Sequence, residues 1–167
     1  MVTNKNKIFI ATDKNKVLIY DKDLNFLNEI KVRKVKDFLG ELIDGDIYSV
    51  DVLDNKILLL AQANDGYSEL FIYSDKKLKK IIDKSLKLYA KSAKFVDNNH
   101  VLLALMSDEI VLYDIKNKKV IYRKAAGEYY FSTMAIDKSR KLVVIGDEGG
   151  EVIVVNAKNG NIIKKIC

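Results

Sequence analysis

Four stretches of the chain end in an apolar run that closes on an aromatic or aliphatic residue and then a polar turn. They are Val17-Leu18-Ile19-Tyr20-Asp21, Leu70-Phe71-Ile72-Tyr73-Ser74-Asp75, Ile110-Val111-Leu112-Tyr113-Asp114 and Val152-Ile153-Val154-Val155-Asn156. The steps from Tyr20 to Tyr73, Tyr113 and Val155 are 53, 40 and 42 residues. A period near ~40 residues with several short strands in each unit marks a repeat architecture in which every unit is a small sheet.

The last unit shows the internal plan. Apolar, β-branched runs at 131–136, 141–146, 151–155 and 161–166 are separated by the turns Asp137-Lys138-Ser139-Arg140, Asp147-Glu148-Gly149-Gly150 and Ala157-Lys158-Asn159-Gly160. Such runs, broken by Gly, Asn and Asp, are strand and hairpin signals. The third unit repeats them at 92–96, 100–105, 109–113 and 120–124, and the second at 47–52, 56–62, 69–73 and 78–82. The first offers 7–12, 17–20 and 26–31, while residues 1–6 are too short and polar to predict an innermost strand. Proline is absent, so none of these strands is barred from a central position. About fifteen strands are predicted in all. Ile10, Leu59, Leu103 and Val144, with Ile19, Ile72, Leu112 and Val154, are predicted to be buried as residues of sandwiched central strands. The long first step holds an exception at residues 32–44. Val35, Phe38, Leu39, Leu42 and Ile43 fall at helical spacing and Gly45 can cap the end, which predicts a short helix or ordered loop, either covering a sheet or serving as a docking element.

The stretch from Ala135-Ile136-Asp137-Lys138 through Val144-Ile145-Gly146-Asp147-Glu148-Gly149-Gly150 to Val155-Asn156-Ala157-Lys158-Asn159-Gly160 resembles a blade of the WD40-like β-propeller superfamily. Tyr20-Asp21 and Tyr113-Asp114 stand where that family closes its third strand with Trp-Asp. Asp13, Asp65, Asp108 and Asp147 correspond to its aspartate before the third strand. No tryptophan and no Gly-His pair is present, so the family's Asp–His–Ser/Thr–Trp network cannot form, and the resemblance is to divergent bacterial propellers. Some of these are accessory proteins of respiratory enzymes, the NapL type of nitrate-reductase accessory protein among them. The resemblance implies an all-β fold of four blades, each a four-stranded antiparallel sheet, over residues 1–31, 46–84, 92–126 and 131–167, with 32–45 as an inserted helix or loop. Four blades are about half of a usual ring. They call for a longer protein, for a homodimer that closes the ring, or for a steeper four-bladed closure.

Composition narrows function. No apolar run approaches the ~18 residues of a membrane-spanning helix. The polar N-terminus has no signal-peptide core, which predicts a cytoplasmic location, or a periplasmic one if a signal peptide has been removed. The lone Cys167 cannot form an internal disulfide. The formal charge of +6 is almost all lysine, with arginine only at positions 33, 123 and 140, whereas phosphate and base recognition favour the arginine fork. Nucleic acid is therefore not the expected partner.

No catalytic, cofactor or metal site is predicted. His100 is the only histidine and reads as a turn or cap residue. Gly149-Gly150 lacks the following helix of a phosphate loop. The carboxylates of Asp21-Lys22-Asp23 and Asp51-Val52-Leu53-Asp54 lack the rest of a calcium loop and read as solvated turns. Glu128-Tyr129-Tyr130-Phe131 is expected to pack between blades, with a recognition surface as the alternative. The expected function is a protein-interaction scaffold, an accessory or assembly factor for an enzyme complex. Its rivals are a propeller enzyme or small-ligand binder using the central channel, and a lysine-rich binder of anionic surfaces.

Overall fold

Period-2 apolar runs closed by turn residues give sixteen strands in four antiparallel meanders, with two more in a hairpin. A computed structural model describes residues 1–167. Sheet 1 comprises β1 (Val2–Asn4), β2 (Lys7–Ala11), β3 (Lys16–Asp21) and β4 (Phe26–Lys31). The hairpin is β5 (Val35–Lys36) and β6 (Leu42–Ile43). Sheet 2 holds β7 (Ile47–Leu53), β8 (Lys56–Gln62), β9 (Ser68–Ser74) and β10 (Lys77–Ile82). Sheet 3 holds β11 (Ala90–Phe95), β12 (His100–Leu105), β13 (Glu109–Asp114) and β14 (Lys119–Ala125). Sheet 4 holds β15 (Phe131–Ile136), β16 (Leu142–Asp147), β17 (Val152–Asn156) and β18 (Ile162–Ile166). Helix is limited to single 3-10 turns at Asn64–Gly66 and Lys84–Leu86. The fold is all-β, built from four-stranded sheets of the propeller-blade kind.

The chain divides into two compact units, Met1–Leu88 and Tyr89–Cys167. In the first, β7 lies against β1, β2 and β3. Its core joins Phe9, Val17, Ile19 and Ile30 of sheet 1 to Val50, Val52, Leu59 and Phe71 of sheet 2. In the second, β15 lies against β11 and β12, and Leu102, Ile110 and Leu112 meet Phe131, Val143, Ile145, Ile153 and Val155. Burial of these side chains supplies the driving force, at roughly 25 cal/mol per Å² of apolar area.

The residue after the strand-closing aromatic has a defined job. Asp21 Oδ1 accepts from the backbone N–H of Asp23 and Asn25, both at 2.9 Å. Asp114 accepts from the N–H and side-chain amide of Asn117, and Asn156 from the N–H of Lys158 and Asn159. These Asx turns fix the hairpin between third and fourth strands. Backbone and side-chain donation from Asn117 holds the Asp114 carboxyl below its ordinary range. Sheet 2 dispenses with the device: Asp75 and Lys76 take φ of +49° and +60° in a two-residue turn.

Three expectations need correction. Residues 2–4 do form the innermost strand of sheet 1, because Lys5 and Asn6 adopt left-handed φ and fold Val2 back against Phe9. Of the two alternatives for residues 32–44, the helix falls and the ordered loop stands, as a hairpin over residues 35–43. The Asp37 carboxylate accepts from Leu39 and Glu41 N–H, both at 2.9 Å, and Gly40 takes φ +83°, so turn chemistry overrides the helical spacing. The predicted core is too generous. Leu59, Leu103, Ile19 and Leu112 are buried, but Ile10, Ile72 and Val154 are half-buried and Val144 is exposed. Sheets 1 and 4 bury one face, so their opposite faces, with Ile10 and with Val144 and Val154, meet solvent. Ile72 lies beside exposed Lys79 of outer strand β10.

Candidate functional site

The first candidate is the tip of the β5–β6 hairpin. Val35 is buried at its base, whereas Phe38 and Leu39 are 93% and 87% exposed. The tip is held at several points. Asp37 N–H donates to Glu41 O at 3.0 Å and Gly40 N–H to Asp37 O at 3.1 Å. Lys36 N–H donates to Asn64 Oδ1 at 2.8 Å, and Lys34 pairs with Asp44 at 3.4 Å. At the entry to the hairpin, the Arg33 guanidinium and the Lys80 ammonium both bind the buried carboxylate of Glu69, at 2.9 and 2.8 Å. Two large apolar side chains therefore stand in water on a braced support. Single exposed apolar residues are ordinary, whereas here an aromatic and an aliphatic residue are exposed side by side.

The second candidate is a cleft of about 540 Å³ in the second unit, between sheets 3 and 4. Its floor is Val96, Leu112 and Ile121, and Ile121 is the bulge residue where β14 slips against β13. Three turns build the rim. In the β11–β12 turn, Asp97 Oδ1 accepts from Asn99 and His100 N–H at 2.7 and 2.9 Å, and its carboxylate lies 2.9 Å from His100 Nδ1. A carboxylate only accepts, so Nδ1 carries the proton. In the β15–β16 turn, Asp137 accepts from the N–H of Ser139, Lys141 and Leu142 and from the Ser139 hydroxyl. That donation, led by the hydroxyl, holds its carboxyl down at about 2. Arg140, at φ +57°, donates to Phe95 O at 2.7 Å. In the β17–β18 turn, Lys158 and Asn159 follow Asn156. Tyr122 of β14 ties that turn down by donating to Ala157 O at 2.8 Å, and Lys124 by donating to Asn159 O at 2.8 Å. Burial pushes the Tyr122 phenol far above its usual range.

The cleft is cationic above an apolar floor. Arg140, Lys141 and Lys158 line it with one carboxylate, Asp97, that is engaged with His100. Serine, histidine and aspartate do meet here, but Ser139 is bonded to Asp137 and His100 to Asp97, so the hydroxyl has no imidazole base. An equivalent cleft of about 430 Å³ lies between sheets 1 and 2, where Ile19 and Leu27 stand in the repeat positions of Leu112 and Ile121.

His100 opens β12 at the end of the β11–β12 turn, with its backbone N–H and its ring on the Asp97 carboxylate. Gly149 and Gly150 belong to the β16–β17 turn, where the buried Asp147 accepts from Gly149 and Glu151 N–H. Asp21 caps its hairpin turn as expected, but Asp51 is buried inside β7 and not in a solvated turn, because the strand runs on through Leu53. No group of three His, Cys, Asp or Glu side chains is placed to hold a metal ion. Of the Glu128–Phe131 cluster only Phe131 packs in the core. Tyr129 lies against Gly149 while still half exposed, and Tyr130 is exposed. Sequence reasoning missed Arg140, Lys141 and Lys158 because they sit in turns that look like ordinary solvated hairpins. Their concentration in two turns of the last repeat was the available signal. No helix is long and apolar enough to cross a membrane. No protein-family model matches the chain, and no curated protein matches it.

Proposed function

We propose that the chain is a protein-interaction scaffold of the WD40-like propeller type, an accessory factor in the bacterial manner, and not an enzyme. The observation that carries this is the braced hairpin tip, where Phe38 and Leu39 stand almost entirely in water and exposed Leu42 and Ile43 of the same hairpin extend the apolar surface. Exposure of that kind raises solubility problems for a free chain and is relieved when a partner's pocket receives the pair. Each arginine is engaged within the chain, Arg33 with Glu69, Arg123 with both carboxylate oxygens of Glu109 and Arg140 with Phe95 O, which favours protein over nucleic acid as the partner. The double substitution Phe38→Asp/Leu39→Asp tests the idea in the native host. Partners that co-purify with the wild type should be lost with the variant while its melting temperature is unchanged; an identical partner set would contradict it.

A second association, with another copy of this chain, is favoured by sheet 4. Ala135, Leu142, Val144, Val152 and Ile166 are exposed on its outward face, with Lys164 beside Val154 as the charged side chain among them. Light scattering over a range of concentrations should show a dimer that Val144→Glu dissolves. A monomer at every concentration would refute it.

A further inference from the structure

We propose that the cleft between sheets 3 and 4 binds an acidic segment of a protein partner, its apolar side chain on Val96, Leu112 and Ile121 and its carboxylates on Lys141 and Lys158. The proposal rests on the scaffold function above and gives it a ligand class at a site remote in sequence from the hairpin.

Three observations support it. The cleft's volume of about 540 Å³ is within the ~300–1,000 Å³ of pockets that enclose a ligand. Neither Lys141 nor Lys158 forms an ion pair within the chain, although the neighbouring turns hold Asp97 and Asp137. Those carboxylates are committed instead to backbone N–H groups, to His100 and to Ser139, so they do not neutralise Lys141 and Lys158. The rim is also preorganised. Arg140 is held by Phe95 O, and the Lys158 turn is pinned by Tyr122 and Lys124, so little side-chain and loop ordering opposes binding. The floor separates a peptide from a nucleic acid. It is aliphatic, and the one ring that lines the cleft, the His100 imidazole, is tied to Asp97, whereas single-strand binding sites combine stacking platforms with basic grooves.

The test uses fluorescence anisotropy with the full chain and a fluorescein-labelled peptide, acetyl-Asp-Glu-Leu-Phe-Glu-Asp-amide. Saturable binding is expected with a Kd below about 1 mM, weaker at higher salt. Lys141→Glu/Lys158→Glu should weaken it by at least about tenfold, as should replacing the peptide's phenylalanine with serine. Lys5→Glu/Lys7→Glu, at the equivalent cleft of the first unit, should leave it unchanged. Circular dichroism melts establish that each variant is folded, and Ile121→Ser supplies a second lesion in the floor if charge reversal disturbs the turns. No saturation up to 1 mM, binding insensitive to the Lys141/Lys158 reversal, or equal affinity for a labelled oligothymidine would each overturn the proposal. Phe38→Asp should bind the peptide normally, so loss of hairpin partners and loss of the cleft ligand are read separately.

Discussion

Val143 and Val144 are neighbours in β16 with opposite fates, one fully buried in the core shared with sheet 3 and the other 39% exposed. Replacing each with alanine is the same chemical change in the same strand, so the strand propensity of valine cancels between them. Loss of two buried methyl groups at Val143 costs about 1.6 kcal/mol at ~0.8 kcal/mol per group. The cavity left beside Phe131 and Ile153 raises this to roughly 2–3 kcal/mol. At Val144 part of the side chain is already hydrated and water fills the vacated space, so the loss should stay below about 1 kcal/mol. The difference of about 1.5 kcal/mol is roughly tenfold in the unfolding constant. Urea denaturation followed by far-UV circular dichroism measures it, with the slope of each transition checked because two units need not unfold as one. Equal losses at low protein concentration would refute the one-sided burial of sheet 4. A Val144→Ala loss that grows with protein concentration is the result expected if a second copy covers that face.

Other consequences follow from particular contacts. Leu112→Ala removes a buried side chain from the core of the second unit and should cost about 2–5 kcal/mol in the same assay. Tyr122→Phe deletes the hydroxyl that satisfies Ala157 O and should cost about 1 kcal/mol, seen as a small fall in urea midpoint at constant slope. The Asp137 carboxyl is depressed to about 2 in the folded chain, so the folded state binds fewer protons than the unfolded one below the usual carboxylate range. Its contribution is present above about pH 4 and lost as pH falls towards 2. Asp137→Asn should therefore flatten the acid limb of a thermal-stability profile and leave the shape near pH 7 unchanged.

The repeats were legible because each blade carries its own signals. Alternating β-branched runs give the strands, and Asp21, Asp114 and Asn156 mark the hairpins that follow them. Strand β1 was hidden because its turn uses Lys5 and Asn6 without a glycine and because Val2 is its main apolar contribution to the core. The hairpin at 35–43 mimicked a helix because five apolar residues happened to fall at 3.6-residue spacing, while the decisive Asp37 to Gly40 turn lay between them. Nor can sequence tell a covered face from a bare one in β16: Leu142-Val143-Val144-Ile145 is apolar throughout, and only the packing partner distinguishes its sides. The cationic cleft was invisible for another reason. Its floor comes from Val96, Leu112 and Ile121 of the third repeat and its cations from two turns of the fourth, so the two meet only after sheets 3 and 4 pack.

The scaffold proposal is tested most directly by site-specific photo-crosslinking from position 38 in the native host, with p-benzoylphenylalanine in place of Phe38. Because Phe38 stands almost entirely in solvent on a braced tip, a discrete protein adduct should form there, and the same probe at exposed Lys76 should give no discrete adduct. Position 38 giving no discrete adduct, or only a pattern shared with position 76, would contradict a dedicated protein-binding role for the hairpin.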